Sequence, residues 1–158
     1  MSTATIVDLE MEVRIAAPVD KVWQALTDDI GAWWPNEFYT GGDSETRTYT
    51  LEARPGGRMF EQWKNGGGTL WGTVVSLDPG KMLQVLGSSF PNWGGPTFGF
   101  GTWTLESAGD DTVLRFSEST MGRVSDQTKE SKAKGWDFLF EKAMKSHLEG
   151  RPIPAWED

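Results

Sequence analysis

The 158-residue sequence predicts an α+β fold, a six- or seven-stranded antiparallel sheet wrapped around one long C-terminal helix, with two short helices after the first strand. Three observations carry this reading. Residues 5–15 alternate between apolar and charged side chains, the pattern of a strand covered on one face. From about 46 to 120 the chain is a succession of β-rich runs joined by short turn clusters, as in an antiparallel meander. From about 125 to 149 the apolar residues return instead at helical spacing.

In TIVDLEMEVRI, Val7, Leu9, Met11, Val13 and Ile15 share one face, and Asp8, Glu10, Glu12 and Arg14 the other. AAPVDKVWQALTDD follows as a short amphipathic helix: Pro18 suits its first position, Asp20 complements its N-terminus, and Val19, Val22, Trp23 and Leu26 keep i, i+3, i+4, i+7 spacing. GAWWPNEFYTGGD reads as a second short helix or a loop, broken by Pro35 and Gly41-Gly42. The runs TRTYTLEA, GRMFEQW, TLWGTVVSLD, KMLQVLGS, TFGFGTWTLE and DTVLRFSES are rich in β-branched and aromatic residues, and PGG, NGGG, DPG, PNWGGP and AGDD separate them. The final helix has Ser125 and Asp126 as candidate caps, Ala133, Trp136, Phe140, Ala143 and His147/Leu148 along one side, and Gly150 then Pro152 at its end. Gly135 inside it costs about 1 kcal/mol relative to Ala and marks close packing or space left beside a neighbour. No repeat or linker interrupts residues 1–158, which read as a single domain. Strand, short helices, meander and long helix, in that order, form the helix-grip arrangement.

Composition narrows the function. A formal charge of −8 argues against nucleic acid and against anionic membrane surfaces, both of which need clustered Lys/Arg. The absence of Cys and the single His leave no thiolate nucleophile, no Cys- or His-based metal cluster and no ordinary triad. Asp28-Asp29 and Asp110-Asp111 lack the spacing of a calcium loop, Gly80-Lys81 lacks the rest of a phosphate loop, and no GxSxG elbow occurs. No metal and no cofactor is expected. MSTATIVDLEMEV alternates instead of forming an apolar block, so neither a signal peptide nor a membrane span is expected, and a cytoplasmic location is the default.

Three stretches, IAAPVDKVWQALTDDIGAWWP (15–35), ARPGGRMFEQWKNGGGTLWGTVVSLDPGKMLQV (53–85) and GWDFLFEKAMKSHLEG (135–150), resemble the START-like, or SRPBCC, superfamily. Within it they are similar to the family of the activator of the heat-shock-protein-90 ATPase. The resemblance implies a seven-stranded sheet gripping the last helix with an internal cavity between them. It implies no single activity, since the superfamily includes lipid and hormone binders, cyclases and dehydratase-like enzymes. The chaperone-activating relatives carry a further N-terminal domain, which is not expected here because Ile6 already starts the first strand.

Nine Trp among 158 residues need a large core or a pocket to face. Trp34, Phe38, Phe60, Trp63, Trp71, Trp93, Phe98, Phe100, Trp136 and Phe140 are the candidate ligand-binding rings, each of them otherwise a core residue. Strand parity puts Phe98 and Phe100 on one face and Trp103 on the other, unless Gly99 or Gly101 forms a bulge. Trp93 is placed in a loop at the cavity entrance. Glu118 shares the parity of Leu114 and Phe116, so it either points inward or meets solvent as its strand ends. Glu61 alternates with Phe60, and one of the two is inward. These carboxyls are the candidate catalytic groups, with Tyr39 or Arg58 as helpers. Arg58 and Arg115 otherwise read as surface ion pairs, and His147 as a favourable charge at a helix C-terminus. The leading reading is a monomer or homodimer binding a small hydrophobic or aromatic molecule. The alternatives are a cyclase, dehydratase or hydrolase using a cavity carboxylate, and a chaperone-interacting protein.

Overall fold

The computed structural model describes residues 3–41, 47–89 and 95–157. The elements are β1 (Thr5–Ile15), α1 (Val19–Leu26), α2 (Ile30–Trp33), a 3-10 turn (Asn36–Phe38), β2 (Thr48–Leu51), β3 (Arg58–Gln62), β4 (Gly68–Asp78), β5 (Met82–Ser89), β6 (Thr97–Ala108) and β7 (Asp111–Gly122). The C-terminal helix then runs as α3 (Asp126–Asp137), a π-helical stretch (Phe138–Met144) and α4 (Lys145–Leu148). All seven strands form one antiparallel sheet in the order β1-β7-β6-β5-β4-β3-β2. Six consecutive strands meander, and β1 joins the last of them, from Thr5 opposite Gly122 to Ile15 opposite Thr112. The seven-stranded helix-grip architecture is therefore the observed one. No helix among the described residues is long and apolar enough to cross a membrane.

The caps are local. The Ser125 side chain accepts from the Thr128 backbone N–H, satisfying one of the free donors of the first turn. At the other end Gly150 takes φ +70°, a left-handed value that glycine adopts without strain. Glu149 accepts from the Ala16 backbone N–H at 2.8 Å, tying the helix end to the β1–α1 turn.

The core lies under the second half of the helix. Phe138, Leu139 and Phe140 are all buried although they are consecutive, because this stretch is covered on two sides. Phe138 meets Phe38 and Trp156, while Phe140 meets Trp33 and the sheet residue Trp103. Val74, Leu83, Val85, Leu105 and Leu114 complete the sheet side. The first half differs: DQTKESKAKGWD is mostly polar, and α3 buries no residue fully.

Candidate functional site

The helix-facing side of the sheet changes character along the strands. Toward one end it carries Leu83 and Val85 on β5, Trp103 and Leu105 on β6, and Leu114 and Phe116 on β7. Toward the other end the same faces continue as Gly87, Gly99 and Gly101, where Gly87 pairs with Gly99 and Gly101 with Glu118. With no side chains on that floor, and Trp136 the large apolar side chain that α3 sends toward it, a cavity of about 720 Å³ remains between them. Trp34, Phe38, Tyr49, Trp71, Trp103 and Trp136 are among its walls. The chain beyond Gly150 supplies a further wall, Trp156, whose ring stands edge-on to Phe38 at 5.2 Å with Lys134 Nζ 4.9 Å from its centroid.

The rings are held by one another. Trp34 stacks on Tyr49 at 3.9 Å, and Trp136 is parallel to Phe140 at 5.6 Å and tilted on Phe116 at 4.8 Å. Trp71 reaches the interior through a β-bulge: Met59 faces Gly72 and Phe60 faces Leu70, leaving Trp71 as the extra residue. Three donors of these residues, Trp34 Nε1, Trp103 Nε1 and the Tyr49 hydroxyl, are buried with no hydrogen-bond partner among the described residues. Burial first, then the charge of Glu61 and the neighbouring Tyr39, push the Tyr49 hydroxyl well above its ordinary value of 10.0. Tyr49 therefore stays protonated and acts as a donor. The same two leading causes raise Tyr39.

Both candidate carboxylates are inward and they differ in use. Glu61, 1% exposed, accepts from Trp63 Nε1 at 2.7 Å, Trp71 Nε1 at 2.9 Å, Thr40 Oγ1 at 2.9 Å and the Thr40 backbone N–H at 3.1 Å. Both of its oxygens are occupied, so Glu61 anchors the segment after the 3-10 turn to the sheet and holds two indoles. Glu118, 8% exposed, lines the cavity and meets Lys132 Nζ of α3 at 3.2 Å. Of the two alternatives for Glu118, the structure selects the inward one.

Several expected rings lie elsewhere. Phe98 and Phe100 are 58% and 40% exposed on the outer face of β6, because strict alternation without a bulge puts Gly99, Gly101 and Trp103 inward. The expectation that they look into the cavity or its core is corrected. Phe60 is outward opposite Glu61, with the Arg58 guanidinium 4.4 Å from its ring centroid, and Arg58 pairs there with Glu52, so neither reaches the cavity. Trp63 braces Glu61 beside the β3–β4 turn, and Phe140 is fully packed core. Trp93 lies outside the described residues. Arg115 makes outer-face ion pairs with Glu12 and Glu106. Gly135 belongs to the roof: a Cβ there would find only the Phe38 ring, at an ordinary 3.7 Å.

With this geometry in hand, comparison with known proteins is decisive for the family. The profile described as Activator of Hsp90 ATPase homolog 1-like protein matches residues 16–149. The chain belongs to that family. Solved structures repeat the fold. Mll3558 from Rhizobium loti is 17% identical with a TM-score of 0.70, covering 93% of this chain and 100% of its own. CalU16 from Micromonospora echinospora is 20% identical with a TM-score of 0.64, covering 96% and 86%. The Aha1 dimer from Colwellia psychrerythraea is 24% identical with a TM-score of 0.59, covering 90% and 96%. No curated protein sequence matches this family member closely enough to count as a relative.

The sequence reading missed Tyr49, Lys132 and Trp156, and the cavity-forming role of Gly87. Lys132 and Tyr49 carry no local signal, since each is brought to the cavity by an element far away in the chain. The apolar IPAW segment after Gly150 was the available hint for Trp156.

Proposed function

We propose that this family member binds a small hydrophobic or aromatic molecule in the cavity between the sheet and the first half of the C-terminal helix. The observation that carries the reading is the roughly 720 Å³ space itself, walled by indole and phenyl rings and left open by three glycines. Its volume is within the range of small-molecule pockets, which are mostly apolar with a few placed polar groups. Membership of a fold class that includes binders of apolar ligands supports the reading.

Titration with naphthalene and with larger fused aromatics tests it. Binding beside so many indoles should quench tryptophan fluorescence, and preferential binding to the native state should raise the melting temperature with ligand concentration. If neither signal moves across the series, this reading is wrong.

A further inference from the structure

One polar group in the cavity has hydrogen-bonding capacity left over. Among the described residues Glu118 directs its polar contacts to a single oxygen: Oε1 accepts from Thr120 Oγ1 at 3.1 Å and Trp136 Nε1 at 3.2 Å, and meets Lys132 Nζ at 3.2 Å. Oε2 has no partner among the described residues, although a carboxylate oxygen can accept two hydrogen bonds. A glycine stands in front of it. A Cβ built on Gly99 would lie 3.2 Å from Oε2 and 3.3 Å from Thr120 Oγ1, closer than most real Cβ contacts. Gly99 thus does more than enlarge the cavity; it keeps this oxygen reachable from inside.

We infer that Glu118 Oε2 is the anchor for a hydrogen-bond donor on the ligand, and that the ligand is a neutral aromatic carrying a hydroxyl or N–H group. This rests on the cavity being the binding site. A bare hydrocarbon would leave a buried carboxylate oxygen desolvated and unpaired. An anion has no proton to donate to Oε2, and it would bring its lone pairs against the oxygen that Lys132 does not touch. A cation is disfavoured for a different reason: Lys132 already neutralises Glu118, and a second ammonium would crowd the first. A neutral O–H or N–H is the group that fills the gap without a net charge, while its aromatic body lies along Trp136 and the glycine floor.

Calorimetric titration of the full chain with three probes of one ring system isolates the donor: naphthalene, β-naphthol and the methyl ether of β-naphthol. The ether keeps the oxygen and removes only the proton. A hydrogen bond to a charged group predicts that β-naphthol binds about tenfold or more tightly than either of the others. Gly99→Ala should bring the three to within about twofold, and Glu118→Gln, which keeps the shape and removes the charge, should reduce the preference several-fold. Three affinities within twofold in the unaltered protein would overturn the anchor and leave the cavity reading standing. A preference that persists in both variants would also overturn it, as would tighter binding of naphthylmethylammonium than of β-naphthol. Should none of the probes bind, the cavity reading and the anchor fall together.

Discussion

Residues 138–148 of the C-terminal helix bury Phe138, Leu139, Phe140, Ala143 and Met144, whereas Asp126–Asp137 of the same helix buries none. The sheet beneath mirrors this division, with Leu83, Trp103 and Leu114 under the buried half and Gly87, Gly99 and Gly101 toward the polar half. One continuous helix is thus core at one end and roof at the other. The difference shows how a helix-grip fold separates a packed half from an open one: large side chains from both layers interlock in one half, and paired glycines opposite polar helix residues leave space in the other. The roof is tied down by the polar contacts of Lys132 and Trp136 to Glu118 and by the Trp136 ring packed on Phe116 and Phe140.

That contrast breaks most visibly in stability. Phe140→Ala removes a fully buried ring from the packed half and should destabilise by about 3–5 kcal/mol in urea denaturation. A loss under 1 kcal/mol would mean that the two halves are not different in kind. Glu61→Gln comes next. Its carboxylate holds Thr40, Trp63 and Trp71, and replacing an acceptor by an amide turns one of those contacts into donor against donor, for an expected loss of about 1–3 kcal/mol by the same assay. Gly135→Ala acts on the roof and in the opposite direction. The added methyl group meets only the Phe38 ring at 3.7 Å, so helix propensity should raise stability by up to about 1 kcal/mol, and a destabilised variant would show that the roof is tighter than its geometry.

The smallest effect is a dependence on pH. The Ala16 N–H bond, with Arg151 and Lys145 assisting, holds Glu149 below its ordinary 4.5. A carboxyl depressed in the folded state contributes stability that is complete above its unfolded value and is lost as pH falls through the folded one. Glu149→Gln should therefore flatten the acid side of the stability–pH curve below about pH 4.5 and leave the neutral side unchanged in slope. An acid limb identical to that of the unaltered protein would contradict the tie.

Much of the packed half was legible in the sequence. The alternation of β1, the parity that set Trp103 against Phe98 and Phe100, and the caps at Ser125 and Gly150 are local, and local pattern finds them. The open half was harder for a definite reason. In TFGFGTW the inward positions are glycines and the outward ones are phenylalanines, so the usual rule that the apolar side faces the core points the wrong way. A cavity floor is recognised by what is missing, and hydrophobic periodicity registers only what is present. Trp71 was named as a candidate ring from its residue type alone, since the bulge that turns it inward depends on pairing with β3 and leaves no mark in β4. Glu118 was found by parity alone, but its partner Lys132 and its open oxygen depend on how far α3 stands from the sheet.

The most direct test of the proposed binding in the open half is an intermolecular NOE experiment on the isotope-labelled protein with β-naphthol. The ligand's ring protons should show contacts to the α-protons of Gly99 and Gly101 and to the indole of Trp136. Contacts to Phe98 and Phe100 instead, on the exposed outer face of the same strand, would place the ligand outside and contradict the account.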